Sequence, residues 1–273
     1  MQGSGIWSPP AGTLGQIVAE ASYRVRALQG DRARIERAAA DAGEPAQSFR
    51  AALSQHHVSV IAEVKRRSPS KGWINQQISA VDQAHAYADG GAAAISVLTE
   101  PLHFDGSIED LDDVAGDVDL PVLKKDFHID PIQLAEARAH GASAALLIVR
   151  ALAPGVLETM MDAARALRLD ALVEIRNEVE LRRALDAGAD IIGINNRDLE
   201  TLVMDPATSE RLLPMIPKGV LAVAESGIAS VGDVRRVAAL GADAVLVGSS
   251  ISAATDPEAL VRQLASVSRE SRG

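Results

Sequence analysis

Four similar stretches decide the fold of this chain: 91–100 (GAAAISVLTE), 141–150 (GASAALLIVR), 188–197 (GADIIGINNR) and 241–250 (GADAVLVGSS). Each opens on a glycine, continues as a short apolar run and ends on polar or small residues. They recur about every 50 residues, which is typical of a repeated structural unit. A second set of apolar runs lies between and around them, at 59–65, 121–127, 171–176 and 221–226. The chain therefore contains eight candidate strands.

Stretches with helical periodicity separate these runs, as in 153–167, where Val156, Met160 and Leu167 fall on one apolar stripe. N-cap residues that mark further helix starts are Ser79, Ser107, Ser230 and Asp256. Strands that alternate with helices form parallel sheets. The first strand is not followed by a G-x-G-x-x-G motif, which argues against a dinucleotide-binding fold. The sequence predicts an α/β fold, a single (β/α)8 TIM barrel.

The barrel is expected over residues 56–268, within a single domain that spans residues 1–273. Residues 1–55 read as an N-terminal helical extension that caps the barrel. Within the extension, helical patterns cover 13–28 and 31–43, and a short turn follows at 49–53. The last residues, SVSRESRG, are polar, and we expect them to be frayed.

Composition narrows the class of protein. Of the 273 residues, 47% are hydrophobic and only 3% aromatic, so aliphatic side chains must fill the core. The sequence has no cysteine, which excludes disulfides and a thiol nucleophile and favours a cytoplasmic location. A net charge of −10 argues against nucleic-acid and membrane-surface partners. No apolar run is long enough to span a bilayer, residues 1–12 lack a signal-peptide pattern, and we expect a monomer.

Ionisable residues end several of the predicted strands. Glu63 and Lys65 share a face of the first strand because side chains alternate along a strand, and Lys125 and Glu174 end two others. The carboxyl ends of barrel strands meet at one rim, where active sites lie. Inward-facing charges are costly unless they are used. We therefore predict an active site here, with Lys124 on the opposite face of its strand from Lys125.

Lys125 has two candidate roles. A second ammonium nearby, such as Lys65, would make Lys125 a better acid than a free lysine, which suits a general acid. Its amine could instead form a Schiff base, as in an aldolase or isomerase of a sugar phosphate on the same barrel. A third hypothesis is a non-catalytic sensor of a phosphorylated metabolite, but binding alone does not require so many titratable groups.

Small residues follow the last two predicted strands, as Ser226-Gly227 and Gly248-Ser249-Ser250. Such residues expose backbone N–H groups, and the start of a short helix after Gly248 would attract an anion. These are the strand ends that bind phosphate in many (β/α)8 barrels, so we predict a phosphorylated small-molecule substrate. The histidines are scattered over helices, loops and the region before the first strand, so we expect no metal and no cofactor.

From about residue 48 to 265 the sequence resembles the indole-3-glycerol phosphate synthase family of (β/α)8 enzymes in tryptophan biosynthesis. The motifs that carry the resemblance are IAEVKRRSPSKGWI, ISVLTEPLHFDGS, PVLKKDF, LLIVRAL, LVEIRNEVEL, IGINNRDLET, AESGI and VLVGSSI, in this order. The resemblance implies conversion of 1-(2-carboxyphenylamino)-1-deoxyribulose 5-phosphate into indole-3-glycerol phosphate, CO2 and water, with no cofactor. The sequence departs from the family pattern at Lys124, a position where arginine is common in the family.

The resemblance also implies a role for each motif residue. Lys125 would be the general acid of ring closure, and Lys65 and Glu174 the other principal acid–base groups. Three further residues would complete the catalytic group: Glu63, Asn195 and Ser226. Substrate-binding residues would be Ser68, Gly227, Gly248 and Ser249 at the phosphate, Phe104 and Phe127 beside the aromatic ring, and Arg197 in the wall of the site.

Overall fold

A closed barrel of parallel strands forms the centre of the computed structural model, which describes residues 7–43 and 47–270. The barrel strands are β1 (Ser59–Val64), β4 (Ala94–Leu98), β5 (Val122–Lys125), β6 (Ala144–Ile148), β7 (Asp170–Ile175), β8 (Ile191–Asn195), β9 (Leu221–Glu225) and β10 (Ala244–Val247), and a separate short hairpin of β2 (Arg67–Ser68) and β3 (Gly72–Trp73) follows β1. Each barrel strand pairs with its neighbours in chain order, and β1 pairs with β10 to close the ring. The predicted (β/α)8 TIM barrel is confirmed.

Helices follow the barrel strands on the outside: α4 (Ala80–Asp89), α5 (Ile108–Asp117), α6 (Pro131–Ala139), α7 (Val156–Ala166), α8 (Glu178–Asp186), α9 (Ala207–Leu212), α10 (Val231–Ala239) and α12 (Pro257–Leu264). The short helix α11 (Ser249–Ser252) lies directly at the carboxyl end of β10. Short 3-10 turns lie at Val149–Ala151 and Leu213–Met215. The predicted caps at Ser79, Ser107, Ser230 and Asp256 each accept a hydrogen bond from the backbone N–H three residues on. These caps satisfy donors that a helix start otherwise leaves unpaired.

Side-chain alternation divides each strand between two cores. On β1, Val60 and Ala62 pack in the layer between the barrel and its helices, whereas Ile61 belongs to the cluster inside the barrel. Glu63 is two residues beyond Ile61 and therefore faces inward as well. The same argument turns Lys125 inward after Leu123. The charged strand ends thus continue an apolar interior column.

The N-terminal extension forms α1 (Gly12–Gly30), α2 (Arg32–Asp41) and α3 (Phe49–Ala52), close to the predicted bounds. Helix α1 lies at the carboxyl end of the barrel, where Ile17 packs into the interior cluster. Helix α3 lies at the opposite end, since Arg50 donates its backbone N–H to Asp170 at the start of β7 (2.9 Å). Helix α2 packs on α6 through Ile35 and its neighbours.

The end of the chain is attached to the barrel, and the prediction of a frayed terminus is wrong as far as the structure describes it. Val58 donates its N–H to the carbonyl of Val267 (2.9 Å), and Arg269 donates to that of His56 (3.2 Å). The Arg269 guanidinium also pairs with the buried Asp243. These contacts link residues too distant in sequence for local polarity to reveal them. Residues 271–273, which the same expectation covered, lie outside the described part.

The expectations about a membrane span and a signal peptide can be compared with the structure only over the residues that it describes. Among the helices of residues 7–43 and 47–270, none is long and apolar enough to cross a bilayer. The expectation about a signal peptide concerned residues 1–12, of which 1–6 lie outside the described part.

Candidate active site

A cavity of about 360 Å³ opens at the carboxyl ends of the strands. Every residue predicted for the site lines this cavity: Glu63, Lys65, Ser68, Phe104, Lys125, Phe127, Glu174, Asn195, Arg197, Ser226, Gly227, Gly248 and Ser249. Helix α1 contributes Thr13 and Ile17 to the same wall. The barrel therefore brings together residues that lie far apart in the sequence, as the strand-end argument requires.

A cluster of buried charges forms the floor of the cavity. The Lys125 Nζ atom lies 3.4 Å from a carboxylate oxygen of Glu225, 3.8 Å from one of Glu63 and 4.0 Å from one of Glu174. The Lys65 Nζ donates to the Glu63 carboxylate at 3.0 Å. Two ammonium groups thus face three carboxyl groups, so the fully ionised cluster would carry one net negative charge.

This environment changes the proton affinity of Lys125 in the direction opposite to our expectation. Burial opposes its charge, but the carboxylates of Glu225, Glu63 and Glu174 outweigh burial and raise the pKa of Lys125 above its usual value. The expectation that Lys65 makes Lys125 a better acid than a free lysine is therefore wrong. Lys125 holds its proton firmly and releases it only to a strongly basic acceptor.

The two predicted carboxyl groups differ in their proton affinity. Burial favours the neutral form of Glu63, but the nearby Lys65 and Lys125 outweigh it and hold the pKa of Glu63 below its usual value. Burial dominates at Glu174, whose pKa is raised although Lys125 and a hydrogen bond from Asn195 oppose the rise. Glu63 is therefore a fixed negative charge, whereas Glu174 is suited to exchanging a proton.

Glu225 ends β9, and sequence reasoning assigned it no role in the site. It is 1% exposed, and burial raises its pKa to about 8 against the opposing effect of Lys125. Its Oε1 atom is buried and has no hydrogen-bond partner within residues 7–43 and 47–270. A signal was present, because Gly193 interrupts the apolar run of β8: a Cβ there would lie 2.1 Å from the Glu225 Oε1 atom.

Small residues line the side of the cavity formed after β9 and β10. Ser226 has a φ of 65°, in the left-handed region that a residue with a Cβ rarely adopts, and Gly227 follows with a φ of 83°. Gly248 and Ser249 stand at the start of α11. The hydroxyl of Ser68 is buried nearby in the cavity wall without a hydrogen-bond partner among the described residues. This side offers backbone and hydroxyl donors to an anion.

The part of the cavity wall formed after β4 and β5 is aromatic. The Phe104 and Phe127 ring centroids lie 6.1 Å apart with an angle of 36° between the ring planes. The Lys65 Nζ lies 5.4 Å from the Phe104 centroid, a distance typical of a cation–π contact. An apolar ring can therefore pack here with an ammonium group beside it.

Arg197 closes the wall near β8. Its guanidinium donates to the carbonyl of Leu202 (2.9 Å), its backbone N–H donates to Asn195 (2.9 Å), and burial lowers its pKa. Each of the predicted site residues thus has a defined place in the cavity, with the charges on the floor and uncharged donors at the side.

One group of possible metal ligands lies next to the site. Atoms of Glu20, Glu100 and His103 lie within 4.8 Å of one another. The Glu100 carboxylate accepts hydrogen bonds from the backbone N–H groups of Leu102, His103 and Phe104, and His103 contacts Glu20 at 2.6 Å. These contacts show that the three side chains hold the loop after β4 in place.

Comparisons with known proteins agree with this fold and site. The (β/α)8 architecture is shared with solved enzymes such as 3-hexulose-6-phosphate synthase from Salmonella typhimurium, with a TM-score of 0.62 and 17% identity over 76% of this chain and 97% of that one. At that identity the likeness defines the fold class alone.

The family follows from closer similarity. Residues 14–264 match the family model described as indole-3-glycerol phosphate synthase. Curated proteins of that name are 48% identical in Mycolicibacterium smegmatis, over 82% of this chain and 83% of the relative, and 48% identical in Mycobacterium avium, over 84% of each. The chain belongs to the indole-3-glycerol phosphate synthase family.

Proposed function

We propose that this enzyme closes the indole ring of 1-(2-carboxyphenylamino)-1-deoxyribulose 5-phosphate, giving indole-3-glycerol phosphate, CO2 and water in tryptophan biosynthesis. The observation that carries the proposal is Lys125, whose ammonium lies within 4.0 Å of three buried carboxyl groups on the floor of a cavity between an aromatic side and a glycine–serine side. Membership of the family supports the same reaction.

The phosphate, the benzoate ring and the ring carboxylate of the substrate each have suitable binding residues in the cavity. Its phosphate lies against the N–H and hydroxyl donors of Ser68, Gly227, Gly248 and Ser249, and its benzoate ring packs between Phe104 and Phe127. The ring carboxylate is placed beside Lys65, which already contacts the Phe104 face. Held at both ends, the ring carbon is brought against the ketone carbon above Lys125.

The chemistry uses the charges in sequence. Lys125 donates its proton to the carbonyl oxygen as the ring carbon attacks; its raised pKa is compatible with this step because the developing alkoxide is strongly basic. Loss of CO2 then restores the aromatic benzene ring. Loss of the hydroxyl group as water needs an acid and a base, which are Lys65 and Glu174. Glu63, Asn195 and Ser226 orient these groups, and Arg197 contributes to the wall.

The aldolase or isomerase alternative has no support from the comparisons, and the site disfavours it. A Schiff base requires an uncharged amine, whereas three carboxyl groups hold Lys125 in its ammonium form. Borohydride added with substrate is expected to trap no covalent adduct on Lys125.

Turnover followed by indole fluorescence tests the proposal. Replacing Lys125→Ala is expected to lower kcat by about 10²- to 10⁴-fold, the usual contribution of a general acid, with KM changed much less. The matched control is Lys218→Ala, since Lys218 is an exposed lysine before β9, and it should leave both constants unchanged. No turnover by the wild-type protein would refute the function, and a normal kcat in Lys125→Ala would remove Lys125 from the mechanism.

We also propose that residues 1–55 and 56–268 act as one unit, and that the enzyme works as a monomer in the cytoplasm. The packing of α1 on the cavity wall supports the first point. Size-exclusion chromatography with light scattering tests the second, and a dimer at micromolar concentration would contradict it.

A further inference from the structure

Asp126 joins two residues of the site and is held by an unusual number of contacts. It stands between Lys125 and Phe127 and is 2% exposed. Its carboxylate accepts hydrogen bonds from both terminal nitrogens of Arg24 (2.7 and 2.8 Å), from the Thr99 hydroxyl (2.8 Å) and from the Phe127 backbone N–H (2.7 Å). One carboxylate therefore connects the end of β5 with the end of β4 and with helix α1.

Arg24 supplies the contact from α1. On this helix Ile17, Ala21 and Arg24 lie on one face, since they are four and three residues apart. Ile17 lines the cavity and Ala21 is buried in the interior cluster, so Arg24 continues the barrel-facing stripe of the helix. Two parallel N–H···O bonds fix the distance and the orientation of the two groups together.

We propose that Arg24 is a positioning residue: through Asp126 it holds Lys125 and Phe127 in register with the cavity wall that α1 provides. Arg24 is not among the residues that line the cavity, so it acts only through the backbone segment that it fixes. The inference rests on the proposed ring-closing function, because its effect is read in the geometry of Lys125 and of the ring-binding Phe127.

Loss of Arg24 leaves a buried carboxyl group without its paired cation. Burial would raise the pKa of Asp126, and at present Arg24 above all, helped by Lys124 and His128, holds that pKa well below its usual range. Lys124 already pairs with Glu136, so it compensates only in part. Around the guanidinium itself, the other charges that interact with Arg24 are Glu20, Glu100 and Glu136. Without Arg24, Asp126 should take up a proton at mildly acidic pH.

The experiment measures kcat and KM for indole formation between pH 5 and 9, per folded molecule, in Arg24→Met, Arg24→Lys, Asp126→Asn and the double variant Arg24→Met/Asp126→Asn. Arg24→Met should lower kcat by about 10- to 100-fold, as expected when a reacting group is displaced by about 1 Å. It should also add an acidic limb to the pH profile. The limb should be absent from the double variant, which has no carboxyl group to titrate.

Two comparisons separate positioning from mere stability. Arg24→Lys keeps the charge but not the paired hydrogen bonds, so its kcat should lie between those of wild type and Arg24→Met. The matched control is Arg26→Met, since Arg26 lies on the same helix and stacks on Tyr23 at 5.0 Å. It should match the wild type.

A lower Tm in Arg24→Met with wild-type kcat and pH profile would overturn the proposal and leave Arg24 a structural residue. If Arg24→Met does not fold, an unchanged kcat in Arg24→Lys overturns it equally. Absence of turnover in the wild type would instead refute the proposed function, so the two failures are distinguishable.

Discussion

Two glycines make room for carboxylates inside the barrel. A Cβ at Gly193 would lie 2.1 Å from Glu225 Oε1, and one at Gly248 would lie 2.3 Å from Glu63 Oε1. Both glycines are therefore required by a close approach of a side chain, in addition to any need at the substrate phosphate. At the residue scale, the charged floor of the site depends on positions that carry no charge themselves.

Glu225 should make stability depend on pH in a defined direction. Its pKa is raised to about 8 in the folded protein and is about 4.3 in an unfolded chain. The neutral form is thus favoured on folding, so this contribution is complete below about pH 4.3 and is lost as pH rises through about 8. Glu225→Gln imitates the neutral form and should gain more than about 1 kcal/mol relative to wild type between pH 5 and 9. Urea unfolding at both pH values measures the difference.

The control for this prediction is Glu63→Gln, for which the sign is reversed. The pKa of Glu63 is lowered in the folded protein, so its ionised form stabilises the fold above the unfolded pKa, and that contribution is lost as pH falls. Glu63→Gln should therefore lose stability relative to wild type as pH rises from acid. The same trend in both variants would contradict the assigned proton affinities.

The sequence was sufficient to predict which side chains lie at the same rim of the barrel. It did not predict the distances between their charged groups. Glu63, Lys65, Lys125 and Glu174 end apolar runs, and the topology alone brings those ends together. The dominance of three carboxyl groups over the pKa of Lys125 depends on distances between strands that are far apart in the sequence. These distances depend on the register between the strands, and register cannot be predicted from the sequence of one strand alone.

At the scale of the element, strand β5 places two adjacent lysines in opposite environments. Lys125 faces the cavity, whereas Lys124 faces outward, is 1% exposed and pairs with Glu136 of α6. This outcome agrees with the prediction from alternation. It also explains why the position carries a cation, since Lys124 pairs with Glu136 of α6 and does not face the cavity.

Removing either partner of this pair should have unequal effects. Glu136→Ala leaves the buried Lys124 without the carboxylate that it contacts directly and should cost about 3–5 kcal/mol of unfolding free energy. Lys124→Met leaves Glu136, whose side chain is 19% exposed, able to reach water, and should cost clearly less. Chemical denaturation measures both losses. The kcat per folded molecule should stay near the wild-type value in each, and equal losses of stability would disprove the asymmetry.

Helix starts were predictable because a cap is local, as at Ser79 and Ser230. The hairpin formed by β2 (Arg67–Ser68) and β3 (Gly72–Trp73) after β1 was not predicted. Its strands are too short to produce a period, and the stacking of Arg67 on Trp73 at 5.5 Å follows from the fold of the loop.

At the scale of the whole molecule, the cavity and the contacts that attach the C-terminal segment lie at opposite ends of the barrel. The cavity lies at the carboxyl ends of the strands, while the contacts of Val58 with Val267 and of Arg269 with Asp243 lie at the other end. This separation agrees with the general division of such barrels into a functional and a stabilising face.

Deleting residues 266–273 should therefore lower stability without changing catalysis. The deletion removes the backbone bond to Val58 and the Arg269 contact of the buried Asp243, which keeps the backbone N–H of Ala222 as a donor, so a loss of about 1–3 kcal/mol is expected. Thermal unfolding measures the loss, and kcat per folded molecule should be retained. Glu270→Ala, at an exposed position, is the control; a deletion variant that is fully stable would show that the tail contacts contribute nothing.

The pairing of β1 with β10 has a consequence for biosynthesis. Ser59 lies opposite Ala244 in this pair, so the last joint of the ring connects segments separated by most of the chain. During translation the edge of β1 stays open until residues 244–247 have left the ribosome tunnel, and an open strand edge invites pairing with other chains. We therefore expect nascent molecules to be open to intermolecular strand pairing until β10 has emerged and can close the ring.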